Sequence, residues 1–294
     1  MPSLDALDLT DSELYRNGFP HDVFTRLRRE APVWRHPETP GFEKTGGQGF
    51  WVLSRHAEIR DVNRNAELFL SCSGPGLGYE GMGLMLTDMD GAPHIRQRKL
   101  ISSGFTPRMT KRLEDLARKW AISIIEDALE RETVEFVQDV AYKLPMHMIA
   151  DILGIPKEDR DWLFTQTNDL LLCLDPEHPV PESAREGIAA QIFGYGHKIA
   201  RQKRSHPEDD VLSLLVTVED EQGKLNDLEL DAFFMLLTVA GSETTRNAIS
   251  AGLKQLLAEP EQLAALRQDP SLMKSATEEI IRWSSPVAYF KRIA

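Results

Sequence analysis

The stretch Ala240-Gly-Ser-Glu-Thr-Thr245 brings together the groups that acid–base chemistry needs. Glu243 supplies a carboxylate that can give or take a proton, and the next residue, Thr244, supplies a hydroxyl. Both follow an apolar run, 232–240, that predicts a helix buried on all sides, where an unpaired carboxylate is costly. Gly241 weakens the same helix by about 1 kcal/mol relative to alanine. Because local rules are often broken at functional sites, this stretch is the first candidate for catalysis.

A second interpretation of this stretch needs no chemistry. It is a surface turn of an ordinary core helix, in which Glu243 and Arg246 form an exposed i,i+3 ion pair. In either case the hydroxyls of Ser242, Thr244 and Thr245 can bond back to helix carbonyls and bend the helix.

Two cationic side chains, His94 and Arg98, lie four residues apart in a predicted helix over 93–104, so they share one helical face. Two donors near a helix N-terminus favour an anion-binding site, because the helix dipole adds to their charge. Arg96 and Lys99 add further positive charge. The alternative is a basic face exposed to solvent.

The last predicted helix carries Glu279 and Arg282, three residues apart, and Glu278 is also within reach of Arg282. Such a pair is worth a few tenths of a kcal/mol and is weak evidence of function on its own. Ser285-Pro-Val287 then ends the helix, and a short extended segment carries Lys291 and Arg292.

The elements that must position these residues are mostly helices. The longest is predicted from the N-cap Asn226 to Ala258, about 50 Å of helix at 1.5 Å per residue. Phe50–Leu53 predicts a strand, and 71–83 predicts an irregular loop rich in glycine. Gly154–Pro156 and Asp175–Pro179 predict breaks, and we expect one mainly helical domain over 1–294. The other predicted helices lie at 20–31, with Val23, Phe24 and Leu27 on one face, and at 56–66, 93–104, 107–130, 137–153, 157–174, 181–204, 208–218, 260–268 and 271–284.

The chain has 294 residues and a net charge of −12, which argues against a nucleic-acid-binding protein, because such a protein needs a basic face. An unrelated helical regulator is disfavoured for the same reason. Cys72 and Cys173 show no metal-site or disulfide spacing. We see no signal peptide and no apolar run long enough to span a membrane, so we expect a cytoplasmic protein.

Taken in order, these motifs resemble one family, the haem-thiolate monooxygenases called cytochromes P450, in the style of its soluble bacterial members. Ala240–Thr245 resembles the A/G-G-x-D/E-T-T signature of the family's long central helix. Glu279-Ile-Ile-Arg282 resembles its E-x-x-R motif, and His94–Arg98 with Gly104–Pro107 resembles its H-x-x-x-R and F-T-P segment. The resemblance runs over essentially the whole chain. It implies a mainly α fold with a small β portion, corresponding to the N-terminal two-thirds of a P450.

The resemblance implies a role for each motif residue. Thr244 would hold activated oxygen through its hydroxyl, and Glu243 would relay protons to it. The cofactor would be haem b, and the partners O2, a ferredoxin-type electron donor and a lipophilic substrate such as a sterol, terpenoid or fatty acid. The segment 167–190 would cover the substrate channel. The remaining roles are the haem face for Ala240 and Gly241, the haem propionates for His94, Arg98 and Arg292, a structural ion pair for Glu279 and Arg282, and the substrate pocket for Met85, Val287 and Ala288.

One departure from the family bears on activity. The family's haem-ligating cysteine lies in a glycine-rich loop after the E-x-x-R helix, and neither Cys72 nor Cys173 lies in such a loop. We therefore expect a fragment whose axial cysteine lies beyond Ala294, and no thiolate-type spectrum from residues 1–294 themselves. The alternative function is an inactive remnant or a non-catalytic helical interaction protein.

Overall fold

The computed structural model describes residues 3–37, 49–77, 81, 83–172, 175 and 180–294. Its contacts divide the chain into two compact units. One comprises Met1–Ile95 with Tyr289–Ala294, and the other comprises Arg96–Ala288. The single domain over 1–294 stays a prediction.

The first unit is built around a small apolar core and a two-stranded sheet. Helix α1 (His21–Glu30) places Leu27 in a buried cluster with Leu7 and Trp34, and Val23 and Phe24 pack against it. The predicted face of this helix is therefore confirmed. Strands β1 (Val33–Arg35) and β2 (Trp51–Leu53) pair antiparallel, and only the second had been predicted. Helix α2 (His56–Arg64) follows, and Leu70 bridges to Ile293 near the chain end.

The second unit is helical, and its centre is the predicted long helix, α9 (Asp227–Ala258). Asn226 caps its N-terminus in a capping box with Glu229, which confirms the predicted start. Residues 232–235 are buried, but Leu236, Leu237 and Val239 are half-buried and Ala240 is exposed, so the expectation that 232–240 is buried on all sides is confirmed only for its first part. The other helices of this unit are α3 (Gly91–Ser103, which begins in the first unit), α4 (Pro107–Leu129), α5 (Lys143–Leu153), α6 (Lys157–Leu172), α7 (Arg185–Ser205), α8 (Val211–Leu215), α10 (Pro260–Gln268) and α11 (Met273–Ser284).

Two predicted helices differ from the structure, and one hairpin was not predicted. The helix predicted at 137–153 begins with a π-helical turn, Val137–Ala141, before α5. The helix predicted at 208–218 shortens to α8, because Asp210 caps it at one end and it ends at Leu215. A hairpin of β3 (Glu219–Asp220) and β4 (Gly223–Lys224) then follows. It was not predicted because strands of two residues show no periodicity in the sequence.

The predicted break after α5 is confirmed. Gly154 adopts a left-handed conformation, φ 63°, and ends the helix. The break predicted at Asp175–Pro179 lies outside the described residues except for Asp175, and so does part of the segment 167–190. Within the described ranges, no helix combines the length and apolar character that crossing a membrane requires.

The contact between α7 and α9 gives a prediction about stability. A Cβ added at Gly196 would lie 2.7 Å from Cδ1 of the buried Phe234, whereas a Cβ at Gly194 would meet nothing within 4 Å. We expect Gly196→Ala to lower the free energy of unfolding by about 1–3 kcal/mol through overpacking. Gly194→Ala, on the same helix, should raise it by up to about 1 kcal/mol through helix propensity. Equal effects in chemical denaturation would show that α7 and α9 are not in close contact here.

Candidate functional site

The carboxylate of Glu243 is fixed by residues on its own helix. Both of its oxygens lie 2.5 Å from Nη2 of Arg246, and Oε1 also accepts a hydrogen bond of 2.9 Å from Nδ2 of Asn247. The Glu243 side chain is one-quarter exposed, while that of Arg246 is only 7% exposed. The predicted i,i+3 pair therefore forms, but the expectation that it is exposed is wrong, since Arg246 is buried.

Arg246 is also held by groups outside α9, and sequence reasoning missed them. Its Nη1 donates to Oδ1 of Asn168 on α6 at 3.3 Å, and its guanidinium lies 5.7 Å from the ring centroid of Tyr142. Burial raises the pKa of Tyr142 to about 12, so the phenol stays neutral, and it donates to the carbonyl of Phe164. The only sequence signal for this cluster was the E-x-x-R spacing of Glu243 and Arg246, which does not report burial.

The hydroxyls of the central turns of α9 bond to helix carbonyls, as predicted. Thr244 Oγ1 donates to the Ala240 carbonyl at 3.0 Å, and Thr245 Oγ1 donates to the Gly241 carbonyl at 3.3 Å. Ser242 is buried and donates to the carbonyls of Thr238 and Val239. Each hydroxyl thereby satisfies itself without a partner on another element, and Thr244 is left half-buried next to the acid.

The two small residues of the turn have different surroundings. Ala240 is exposed. Gly241 faces α5, since a Cβ added there would lie 2.4 Å from Cδ1 of Ile149. The glycine therefore allows α5 to approach α9 closely, and the open side of the turn is the side of Ala240.

Of the cationic side chains of α3, Arg96 forms ion pairs, whereas His94, Arg98 and Lys99 form none with the described residues. Arg96 reaches Glu229 and Asp220 at 3.1–3.2 Å and also donates to the Gly223 carbonyl. His94, half-buried, and Arg98, exposed, make no hydrogen bond or ion pair with any residue that the structure describes. His94 belongs to the first unit and Arg98 to the second.

The other proposed site residues are placed as follows. In the first unit, Arg292 donates to the adjacent Lys291 carbonyl and packs against the Phe290 ring, without a carboxylate among the described residues, and Met85 is half-buried. In the second unit, Arg282 forms the predicted ion pair with Glu279 through two hydrogen bonds of 2.6 Å. Both side chains of that pair are exposed, and so are Val287 and Ala288.

The residues assigned to the haem propionates, His94, Arg98 and Arg292, have no carboxylate partner in the described residues, and neither has Lys99, the neighbour of Arg98 on α3. Cys72 is an exposed free thiol in the first unit, and Cys173 lies outside the described residues.

Comparisons with known proteins point to one family. The family model of cytochrome P450 matches residues 115–276. Cytochrome P450 126 of Mycobacterium tuberculosis is 37% identical, over 99% of this chain and 73% of that protein. A steroid C26-monooxygenase of Rhodococcus jostii is 32% identical, over 99% of this chain and 63% of that protein.

A solved structure of the same family has a similar fold. The cytochrome P450 of Mycobacterium marinum in complex with pseudoionone superposes with a TM-score of 0.84 at 32% identity, over 96% of this chain and 72% of that one. The mainly helical P450 fold expected from the motifs is therefore confirmed. On the strength of the family match and of relatives that align along nearly its whole length, this chain belongs to the cytochrome P450 family.

Proposed function

We propose that this chain belongs to a haem monooxygenase that hydroxylates a lipophilic small molecule, and that it supplies the residues that deliver protons to bound oxygen. The reaction uses O2 and electrons from a ferredoxin-type donor, and it takes place in the cytoplasm. The observation that carries the proposal is the adjacency on α9 of a fixed carboxylate, Glu243, and a hydroxyl, Thr244, beside the exposed Ala240. The steroid C26-monooxygenase among its relatives supports a sterol-like or other lipophilic substrate.

When bound, haem b supplies the activation of dioxygen, and the residues of this chain hold the cofactor and manage protons. By the family resemblance, Arg98, His94 and Arg292 would hold its propionates, and none of the three is already paired with a carboxylate within the described chain. The Thr244 hydroxyl, now on the Ala240 carbonyl, has one proton to donate and lone pairs to accept another. Glu243 is the acid–base group next to it and would move protons from solvent to that hydroxyl.

The remaining residues would support this chemistry without taking part in it. Ala240 would leave space at the haem face, since it is exposed and its side chain ends at Cβ, and Gly241 would add to that space only on the side away from Ile149. Met85, Val287 and Ala288 would line the substrate pocket, and the Glu279–Arg282 pair would hold local structure.

The proposal is tested by an absorbance spectrum of the haem-loaded protein that includes the axial cysteine expected beyond Ala294. The spectrum is recorded after reduction and addition of carbon monoxide. A thiolate-type Soret band is expected. A protein that binds no haem under any condition would instead be a non-catalytic helical protein, and the proposal would be abandoned.

Arg98 gives a prediction about cofactor binding. Hydrogen bonds to charged groups contribute about 1.5–3 kcal/mol, so Arg98→Ala should weaken haem binding by about tenfold or more. Lys99→Ala is the matched control, because it removes the same charge from the next residue, which is also exposed. Haem titration followed by absorbance measures both affinities. Equal losses would show that net charge alone matters and that Arg98 has no specific contact.

Thr244 gives a prediction about coupling of oxygen use to product. In Thr244→Ala the hydroxyl beside the acid is lost, and we expect oxygen consumption to continue while the yield of hydroxylated product falls by about 10²-fold in favour of hydrogen peroxide. Thr245→Ala is the control, because its hydroxyl makes the same kind of bond to a helix carbonyl. Oxygen, peroxide and product are measured together. Unchanged coupling in Thr244→Ala would remove the role given to this residue.

A further inference from the structure

The pattern E-x-x-R occurs on two helices of this chain in different environments. Glu243 and Arg246 lie on α9, where the Arg246 side chain is 7% exposed. Glu279 and Arg282 lie on α11, where both side chains are more than half exposed. The same two residue types at the same spacing thus form a buried pair once and a solvated pair once. The α11 pair belongs to a motif already assigned, whereas Arg246 lies outside the oxygen-site signature at 240–245.

A buried guanidinium needs acceptors, because moving a charge out of water is costly unless it is paired. Among the described residues, the carboxylate that Arg246 contacts is Glu243, with both oxygens at 2.5 Å. Its remaining contacts are the neutral Asn168 amide and the face of the Tyr142 ring. Its Nε has no hydrogen-bond partner in the described structure. Arg246 is therefore held in place by one negative charge, that of the proposed catalytic acid.

The Glu243 carboxylate is in turn held mainly by Arg246. One Glu243 oxygen accepts from Arg246 and Asn247, and the other accepts from Arg246. For Glu243 to turn towards the Thr244 hydroxyl, its bonds to Arg246 have to lengthen or break. The position of the Glu243 carboxylate therefore depends on how strongly the other contacts of Arg246 hold the guanidinium. Asn168, which accepts a hydrogen bond from Arg246, lies on α6, so the position of the carboxylate is linked to a second helix.

We propose that Arg246 is a positioning residue, which orients the Glu243 carboxylate for proton transfer and makes its orientation depend on α6 through Asn168. The proposal rests on the proposed monooxygenase function and assigns the regulation of that site. A shift of α6 changes the hold on Arg246, and the change reaches the acid through two hydrogen bonds. The helix that carries Asn168 thereby gates proton delivery.

The contact is tested on the chain without haem, by chemical denaturation. Glu243→Gln leaves Arg246 buried without a counter-charge, so it should lower the unfolding midpoint more than the double variant Glu243→Gln/Arg246→Met, which buries no charge. The matched control is the exposed pair, where Glu279→Gln and Glu279→Gln/Arg282→Met should both have small effects. A double variant Glu243→Gln/Arg246→Met destabilised as much as Glu243→Gln, or more, would overturn the proposal.

The role of Asn168 is tested in the haem-loaded natural protein by measuring oxygen, peroxide and product. Asn168→Ala keeps the Glu243–Arg246 pair but frees it from α6, so the peroxide fraction should rise at unchanged haem content. Thr165→Ala, one turn earlier on α6 and exposed, is the control and should leave it unchanged. A peroxide fraction equal to that of the control would overturn the link to α6.

Substitutions of Arg246 itself separate positioning from simple structural support. Displacement of a reacting group by about 1 Å can cost about 10²-fold in rate, so Arg246→Met should lose product formation by about that factor. Arg246→Lys keeps the charge but not the planar fork, and it should restore part of the loss. No difference between the two variants at equal haem content would contradict a positioning role.

The proposal and the proposed function fail in different ways. If Thr244→Ala leaves coupling unchanged, the monooxygenase role of the site fails even when Glu243 and Arg246 are coupled in denaturation. If Thr244→Ala uncouples the enzyme while Arg246→Met and Asn168→Ala do not, the function stands and the role of Arg246 is wrong.

Discussion

Helix α9 has to cross a core from which water is excluded while carrying polar side chains, and this constraint shapes the structure around it. Thr238, Ser242 and Thr244 meet the constraint by donating to carbonyls of their own helix. Asp231, which is buried, pairs with His197 of α7, whose Nδ1 lies 2.9 Å from Asp231 Oδ2. Glu243 pairs with Arg246. The acid of the candidate site thus lies at the edge of the core, paired with a buried cation.

Neighbouring helices also approach α9 closely, and glycine makes that approach possible. Gly196 of α7 faces Phe234, and Gly241 of α9 faces Ile149 of α5. Gly252 of α9 faces Ile280 of α11, where an added Cβ would lie 2.6 Å from a side-chain carbon. Three helices therefore pack on α9 at positions without a side chain on one partner. Close packing of this kind transmits a shift of one helix to its neighbour.

Sequence patterns predicted the parts of this fold that local chemistry determines. The ends of α9 follow from the Asn226 cap and the break before Pro260, and α1 follows from its apolar face. The hairpin of β3 and β4 was missed because strands of two residues carry no period. The burial of Arg246 was missed because it depends on Asn168 and Tyr142, which are distant in sequence.

The two E-x-x-R pairs show why spacing alone does not assign function. On the exposed α11 pair the attraction is offset by solvent screening and side-chain entropy, and it contributes at most about 1 kcal/mol. On α9 the Arg246 guanidinium is buried although Glu243 is one-quarter exposed, and loss of the Glu243 charge would leave a buried cation unpaired, which costs about 3–5 kcal/mol. A pair of the second kind fixes the orientation of both side chains. Since proton transfer depends on the position of the donor to a fraction of an ångström, burial rather than sequence spacing makes Glu243 suitable for that role.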